Sequence, residues 1–226
     1  MLWNKKGEIA KWIRIKKKSW NRKSHRRNGK IYSMIEFGGN MKISIGIDQS
    51  YSDTGIAVSI DGSPVKWTNE KFKGCKNNTE KRRRLEERLR KLFTICTNKT
   101  KDVIIIIERI RTFTGGSQAP NFGLRPTYLK STGALIATVV DTAYDFGLKV
   151  YSVDTRSWKS KVVGKANKGK DATAKDATIR FVKKEYGIDV SYVNKNGDTR
   201  YNDNIADAVC ISLYGFVKSP NLKEES

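Results

Sequence analysis

The chain has 226 residues, 38% of them hydrophobic, and a formal net charge of +22. That apolar fraction excludes a wholly disordered chain, and the length suits one domain of moderate size with extensions. The charge points to a polyanionic partner, because basic side chains release counterions from nucleic-acid phosphates, and the plain alternative is a merely soluble basic protein.

Residues 1–40 are expected to form a basic extension. The run Lys11-Trp12-Ile13-Arg14-Ile15-Lys16-Lys17-Lys18-Ser19-Trp20-Asn21-Arg22-Lys23-Ser24-His25-Arg26-Arg27 interleaves charge with tryptophan and ends near Gly38-Gly39-Asn40. It reads either as a nucleic-acid-binding arm, with Trp12 and Trp20 stacking on bases, or as a disordered extension ahead of a start at Met41. From Met41 a compact pattern begins, and a single domain is expected over 41–217, with a tail over 218–226. Strands are expected at 42–48, 54–60 and about 64–69, with Asp61-Gly62 as a hairpin turn between the last two. Leu85, Leu89, Leu92 and Phe93 recur at helical spacing within 79–96. Val103–Glu108 is a β-branched run of the kind that marks a strand covered on both faces. A Gly- and Pro-containing loop follows over about 112–126, then a helix over 127–146, a strand over 148–153, and helices over 171–186 and 203–217. Three strands in hairpin order followed by alternating helices and strands imply an α/β fold with a mixed sheet flanked by helices.

The chemistry sits in the carboxylates. No apolar run reaches the roughly 20 residues of a membrane helix, and the N-terminus does not read as a secretory signal; a cytoplasmic chain, within a bacterial host cell if phage-encoded, is expected. Cys75, Cys96 and Cys210 show no CxxC spacing and read as reduced thiols. His25 is the only histidine, so histidine triads, zinc centres and haem ligation are poor prospects. Asp48 and Glu108 each end an apolar strand, at the C-terminal edge where sites in sheet folds gather. Neighbouring strands would bring them within metal-sharing distance, and strand-end solvation is the plain alternative. Asp203 and Asp207 share one helix face, as do Asn204 and Asp207. Asp207 stands in an apolar stretch, where burial without a partner is costly. Asp203 is either a ligand or the helix N-cap. Hard oxygen ligands select Mg²⁺, with Mn²⁺ as substitute, and two such ions can drive in-line attack on a phosphodiester.

The segments Ile45-Gly46-Ile47-Asp48 through Gly55, Ile105-Ile106-Ile107-Glu108-Arg109, Trp158-Lys159 through Gly164 with Gly169 to Lys175, and Asp203-Asn204-Ile205-Ala206-Asp207 occur in this order. Together they resemble the RuvC family of Holliday-junction resolvases, within the RNase H-like superfamily, over about Met41 to Val217. The resemblance implies an RNase H-like sheet of three antiparallel strands followed by parallel ones. It also implies a phage or bacterial homodimer that nicks four-way DNA junctions on two strands, with two Mg²⁺ ions per site. Asp48, Glu108 and Asp207 match the family's metal-binding acids. The fourth ligand usually stands three residues before the last Asp, where this chain has Asn204, so either Asp203 substitutes or Asn204 binds through its carbonyl oxygen. Lys159 and Lys175 match basic residues near the family's site; Lys159 reads equally as a generic phosphate contact, and Lys161 and the longer basic loop before Lys175 as DNA contacts. Arg109, Arg111 and Phe113 follow Glu108; the family places a wedging aromatic there, and Phe113 is either that wedge or core.

Other readings differ in class. An RNase H-like nuclease or transposase-type enzyme acting on flaps or other branched DNA would carry the same acids. A non-catalytic DNA-binding module would have no use for all three of Asp48, Glu108 and Asp207. The Gly46–Gly55 stretch is also similar to the phosphate-binding turn of actin-like ATPases, whose two large lobes this length excludes.

Overall fold

A computed structural model describes residues 41–50, 52–109, 126–164, 174–217, 220 and 222–225, with side chains from 130 and 177 onward in the helices that begin at 126 and 174. All of these belong to the unit Asn40–Ser226. The basic segment 1–40, the loop residues Arg111 and Phe113, and the loop ahead of Lys175 lie outside the described residues.

Strands β1 (Ile43–Gln49), β2 (Asp53–Ile60) and β3 (Ser63–Lys71) form an antiparallel meander. Its second turn is tight because Asp61 (φ 48°) and Gly62 (φ 77°) both adopt positive φ, the two-residue geometry that follows strand twist. Helix α1 (Asn78–Thr97) starts where the Asn77 side chain accepts from the Glu80 N–H, and it buries Leu85, Leu89, Leu92, Phe93 and Cys96 along one stripe. Strand β4 (Val103–Glu108) then runs parallel to β1, and β5 (Lys149–Val153) runs parallel to β4, with α2 (Pro126–Tyr144) as the crossover between them. A short α3 (Thr155–Trp158) continues directly into a π-helical turn, Lys159–Val163. Next come α4 (Ala174–Tyr186), a separate hairpin of β6 (Ser191–Val193) and β7 (Thr199–Tyr201), α5 (Asp203–Tyr214), and β8 (Lys223–Glu225). The main sheet has the order β3-β2-β1-β4-β5-β8 and is mixed, as the sequence pattern implied.

Four features differ from the sequence expectation. The segment after 217 is not only a tail, since β8 closes the sheet edge by pairing antiparallel with β5. The last helix stops at Tyr214, three residues early. The β6–β7 hairpin and the α3–π-turn segment had no expected counterpart. The first two strands otherwise shift by one residue at their ends, which is ordinary fraying.

The sheet is covered on both faces. Alternation along β1 turns Ile43, Ile45 and Ile47 to the face where α1 packs on α2 and α2 on the sheet, while Ser44, Gly46 and Asp48 share the face under α5. The glycines on that second face have a job. A Cβ on Gly46 would overlap the Ala208 carbonyl and the Ser212 amide, and one on Gly55 would overlap the Asn204 carbonyl. Helix α5 therefore lies main chain against main chain on β1 and β2. It is itself nearly all buried from Ala206 to Tyr214, where it meets Trp158, Val163, Phe181 and Val182. Within that layer the Ser59 and Ser212 hydroxyls bond each other at 2.7 Å, so a polar pair is satisfied inside an apolar contact. None of the described helices is long and apolar enough to cross a membrane. The three cysteines are free thiols, and burial pushes that of Cys96 up to about 12.

Candidate active site

Asp48 lies one residue beyond the Ile47–Ile107 pair of the parallel β1–β4 ladder, which brings it beside Glu108 at the end of β4. The seating of α5 on Gly46 and Gly55 lowers Asp207 toward the same strand ends. The electrostatics show how close the acids are. The Asp48 carboxyl is pushed well above the usual range, first by burial, then by the charges of Asp207, Glu108 and Asp203, with Lys159 opposing. Burial also pushes Asp207 up to about 6, against the pull of Lys159 and a hydrogen bond from Thr178, and with a further push from Glu108 and Asp203. Asp48, Glu108, Asp203 and Asp207 thus share one neighbourhood, at the C-terminal edge of β1 and β4.

Their satisfaction is unequal. Glu108 is held at both oxygens: Thr155 Oγ1 donates to Oε1 at 2.6 Å and the indole N–H of Trp158 donates to Oε2 at 3.1 Å. The Gln49 amide donates to the Glu108 carbonyl and ties the ends of β1 and β4 together. Asp207 Oδ2 stands 3.7 Å from Lys159 Nζ, while its Oδ1 is buried with no hydrogen-bond partner. A buried carboxylate oxygen without a partner carries its full desolvation cost.

The ambiguity at the start of α5 is narrowed by its hydrogen bonds. Asn202, not Asp203, is the N-cap: its side chain accepts from the Ile205 N–H at 3.0 Å. Cap and ligand were alternatives for Asp203, and the backbone moves the cap one residue upstream. Asn204 turns the other way. Its amide donates to Asp53 Oδ1 at 2.7 Å and reaches Ser50 Oγ at 3.4 Å. Asp53 also accepts from Ser50, Ser52 and Asn69, so it organises the β1–β2 turn and clips α5 to it.

All four acids offer hard oxygen donors, the class that holds Mg²⁺ or Mn²⁺, and the unpartnered Asp207 Oδ1 is an atom such an ion would satisfy. The residues therefore fit a divalent cation. Among the described residues, no group of three or more His, Cys, Asp or Glu side chains stands in ready-made cation-holding geometry, so the acids are gathered without being closed around a point.

No family model matches the sequence, and no curated protein matches it either. Solved structures do. RuvC of Thermus thermophilus superposes with a TM-score of 0.52 at 15% identity, over 77% of this chain and 93% of that one. The same protein in complex with a Holliday junction substrate gives 0.54, at 15% identity and the same coverage. This chain folds as RuvC does. The yeast mitochondrial Holliday junction resolvase Ydc2 is a more distant match, at a TM-score of 0.44 and 15% identity over 76% of each chain. In the RuvC-like frame the four carboxylates occupy one sheet edge, under the last long helix.

The remaining candidates are scattered. Lys159 is beside Asp207, with its ammonium 4.9 Å from the Trp158 ring centre. Lys161 is exposed on the π-turn, 5.9 Å from the Tyr214 ring centre. Arg109 is exposed but folds back over the sheet, continuing the ladder through its N–H to Val153 O (2.9 Å) and reaching Ser152 Oγ at 3.3 Å. Lys175 lies in the first turn of α4, with its side chain outside the described residues. Sequence reading passed over Thr155, Trp158, Thr178, Gln49 and Asp53. A signal for the first two was present: Asp154 is a helix N-cap, which puts Thr155 and Trp158 three apart on one face just past the end of β5.

Proposed function

We propose that this chain is a divalent-cation-dependent endonuclease that nicks branched DNA, four-way junctions foremost, as a homodimer in the cytoplasm. The observation that carries the reading is an unpartnered, buried Asp207 Oδ1 at the same sheet edge as Asp48, whose carboxyl burial and the neighbouring acids push well above the usual range. Acids kept at this cost in a chain of net charge +22 suit a site completed by cations and a phosphate substrate. The RuvC-like fold is compatible with that chemistry and supports it by analogy alone.

Asp48, Glu108, Asp207 and Asp203 would hold two Mg²⁺ ions, with Mn²⁺ as substitute, and Asn204 stands aside because its amide is committed to Asp53. When bound, such a pair supplies an activated water and neutralises charge on the leaving oxygen. The chain's own residues do the rest. Thr155 and Trp158 fix the rotamer of Glu108 so that its outward lone pairs keep one direction. Lys159 places an ammonium beside Asp207, where a scissile phosphate oxygen would approach, and it offsets part of the acids' mutual repulsion until one arrives. Gln49 keeps the two strand ends at fixed spacing.

A nicking assay of the full chain on four-way junction, flap and linear duplex, with Mg²⁺, with Mn²⁺ and with chelator, tests this. Symmetric nicks in the junction that vanish with chelator are expected, the symmetry reporting two sites in one dimer. Absence of cation-dependent nicking on all three substrates would overturn the nuclease reading. Faster cleavage of flaps than of junctions would overturn the choice of substrate.

A further inference from the structure

The β6–β7 hairpin is built firmly and buries nothing. All six of its strand residues are exposed. Of the large apolar or aromatic side chains that are exposed among the described residues, three stand on it: Tyr192 (48%), Val193 (69%) and Tyr201 (50%). An isolated two-stranded ribbon is marginal in water, yet this one is well fastened. Ile188 and Val190 anchor its base in the core, and the Asn202 N–H bonds Val190 O at 2.9 Å. At its tip Asn194 Oδ1 accepts from the N–H groups of Asn196 and Asp198, both at 2.9 Å, and Gly197 supplies a positive φ of 84°. A rigid, two-sided blade that contributes no side chain to the core is preorganised for something outside the molecule.

Its chemistry suits DNA. Cross-strand register sets Tyr192 and Arg200 on one face, and Val193 with Thr199 and Ser191 with Tyr201 on the other, so each face carries an aromatic ring. Lys71 Nζ stands 5.8 Å from the Tyr192 ring centre, and Lys195 is exposed at the tip. The hairpin's acids are ion-paired, Asp189 with Lys183 of α4 at 3.1 Å and Asp198 with Arg200 at 3.5 Å, so the positive charge offered to a phosphate comes from Lys195 at the tip and Lys71 beside Tyr192. Rings next to cations are the usual platform for nucleic-acid bases and backbone, and a two-stranded ribbon fits a DNA major groove.

Its position suits the same partner. The hairpin runs straight into Asn202 and Asp203 at the head of α5. Lys71, under Tyr192, is the sheet partner of Asp53, which holds Asn204. We infer that the β6–β7 hairpin is a DNA-engaging wing, which grips the helical arm beside the scissile phosphate through Tyr192, Tyr201, Lys71 and Lys195. The inference rests on the nuclease reading above and deepens it by naming a surface that selects the substrate.

The test measures binding of the full chain to a labelled four-way junction without divalent cation, then steady-state nicking with Mg²⁺. Tyr192→Ala/Tyr201→Ala is expected to weaken junction binding by about tenfold or more and to raise KM with kcat unchanged. Lys71→Ala/Lys195→Ala is expected to lower the slope of log affinity against log salt by about 2. Both variants change exposed side chains, and unchanged circular dichroism shows that they fold. Wild-type affinity, salt slope and KM in both variants, with nicking intact, overturn the wing and leave the nuclease reading standing. Loss of self-association in the tyrosine variant with junction affinity unchanged assigns the hairpin to a second copy of the chain and also overturns the wing. A wild-type chain that neither binds nor nicks DNA overturns the nuclease reading and the wing together.

Discussion

Two charged clusters in this molecule handle the burial of acids in opposite ways. Glu70, on β3, is buried with a guanidinium for each oxygen: Arg84 at 2.8 Å and Arg88 at 3.2 Å. At the other cluster, among the described residues, Lys159 is the cation that bears on both Asp48 and Asp207, and it stands 3.7 Å from Asp207 Oδ2. The first cluster is finished by the fold. The second keeps Asp207 Oδ1 buried without a hydrogen bond and holds the Asp48 and Asp207 carboxyls above their ordinary range. Burial of an acid therefore does not distinguish the two; what differs is how completely its oxygens are matched by cations and hydrogen bonds.

The comparison can be broken most severely at Asp48. Asp48→Asn should reduce Mg²⁺-dependent nicking by more than the roughly 100-fold that loss of an outer-shell partner costs, and it should keep junction binding. Full activity in that variant would make the second cluster as structural as the first. Next in size is Trp158→Phe, which keeps the buried ring and removes only the N–H to Glu108. About tenfold weaker activation by Mn²⁺ is expected, with the loss visible in the metal titration and not in the melting temperature. An unchanged titration would show that Glu108 needs no orientation.

Glu70→Gln probes the other side. It should leave nicking unchanged and cost about 1–2 kcal/mol of stability, since Arg84 is half exposed and its pairing is screened. A nicking defect there would erase the distinction between the clusters. The smallest effect is a pH dependence. The folded chain holds Asp207 at about 6, above the ordinary carboxylate value of 3.8. The folded state therefore binds more protons than the unfolded state between those values, and the stability this group contributes is lost as pH rises through about 6. Without divalent cation, Asp207→Asn should gain stability over wild type as pH rises from about 4 to about 6, and then level off. Mg²⁺ should close that gap at neutral pH. A gap that is constant with pH in thermal melts would show that Asp207 is not held under strain.

Much of this was legible in the residues. The apolar runs ending in Asp48 and Glu108 gave both strands and the edge at which they stop, because covered strands announce themselves by unbroken β-branched residues. Asp61-Gly62 located its turn because few dipeptides tolerate two positive φ values. Three things stayed hidden for physical reasons. Asn202 and Asp203 are both good caps, and only the backbone chooses between them. Strands β6, β7 and β8 bury no side-chain stripe, so alternation leaves no trace in the sequence; β8, made of Lys223, Glu224 and Glu225, is held by main-chain pairing at a charged edge. The roles of Gly46 and Gly55 depend on a helix more than a hundred residues away in the sequence, which no local pattern records.

Those two glycines set a limit on how the site can vary. A helix held off a sheet by side chains has slack, because rotamers can shift and let it tilt or slide. Helix α5 has none where it crosses β1 and β2, since peptide groups touch peptide groups there. The gap between Asp207 and Asp48 is accordingly gauged by hard atomic radii and not by any adjustable packing. A methyl group added at Gly55 would act as a shim, lifting the whole helix and opening the gap in one step, so the spacing of these acids is a dimension the chain can keep or lose but hardly tune.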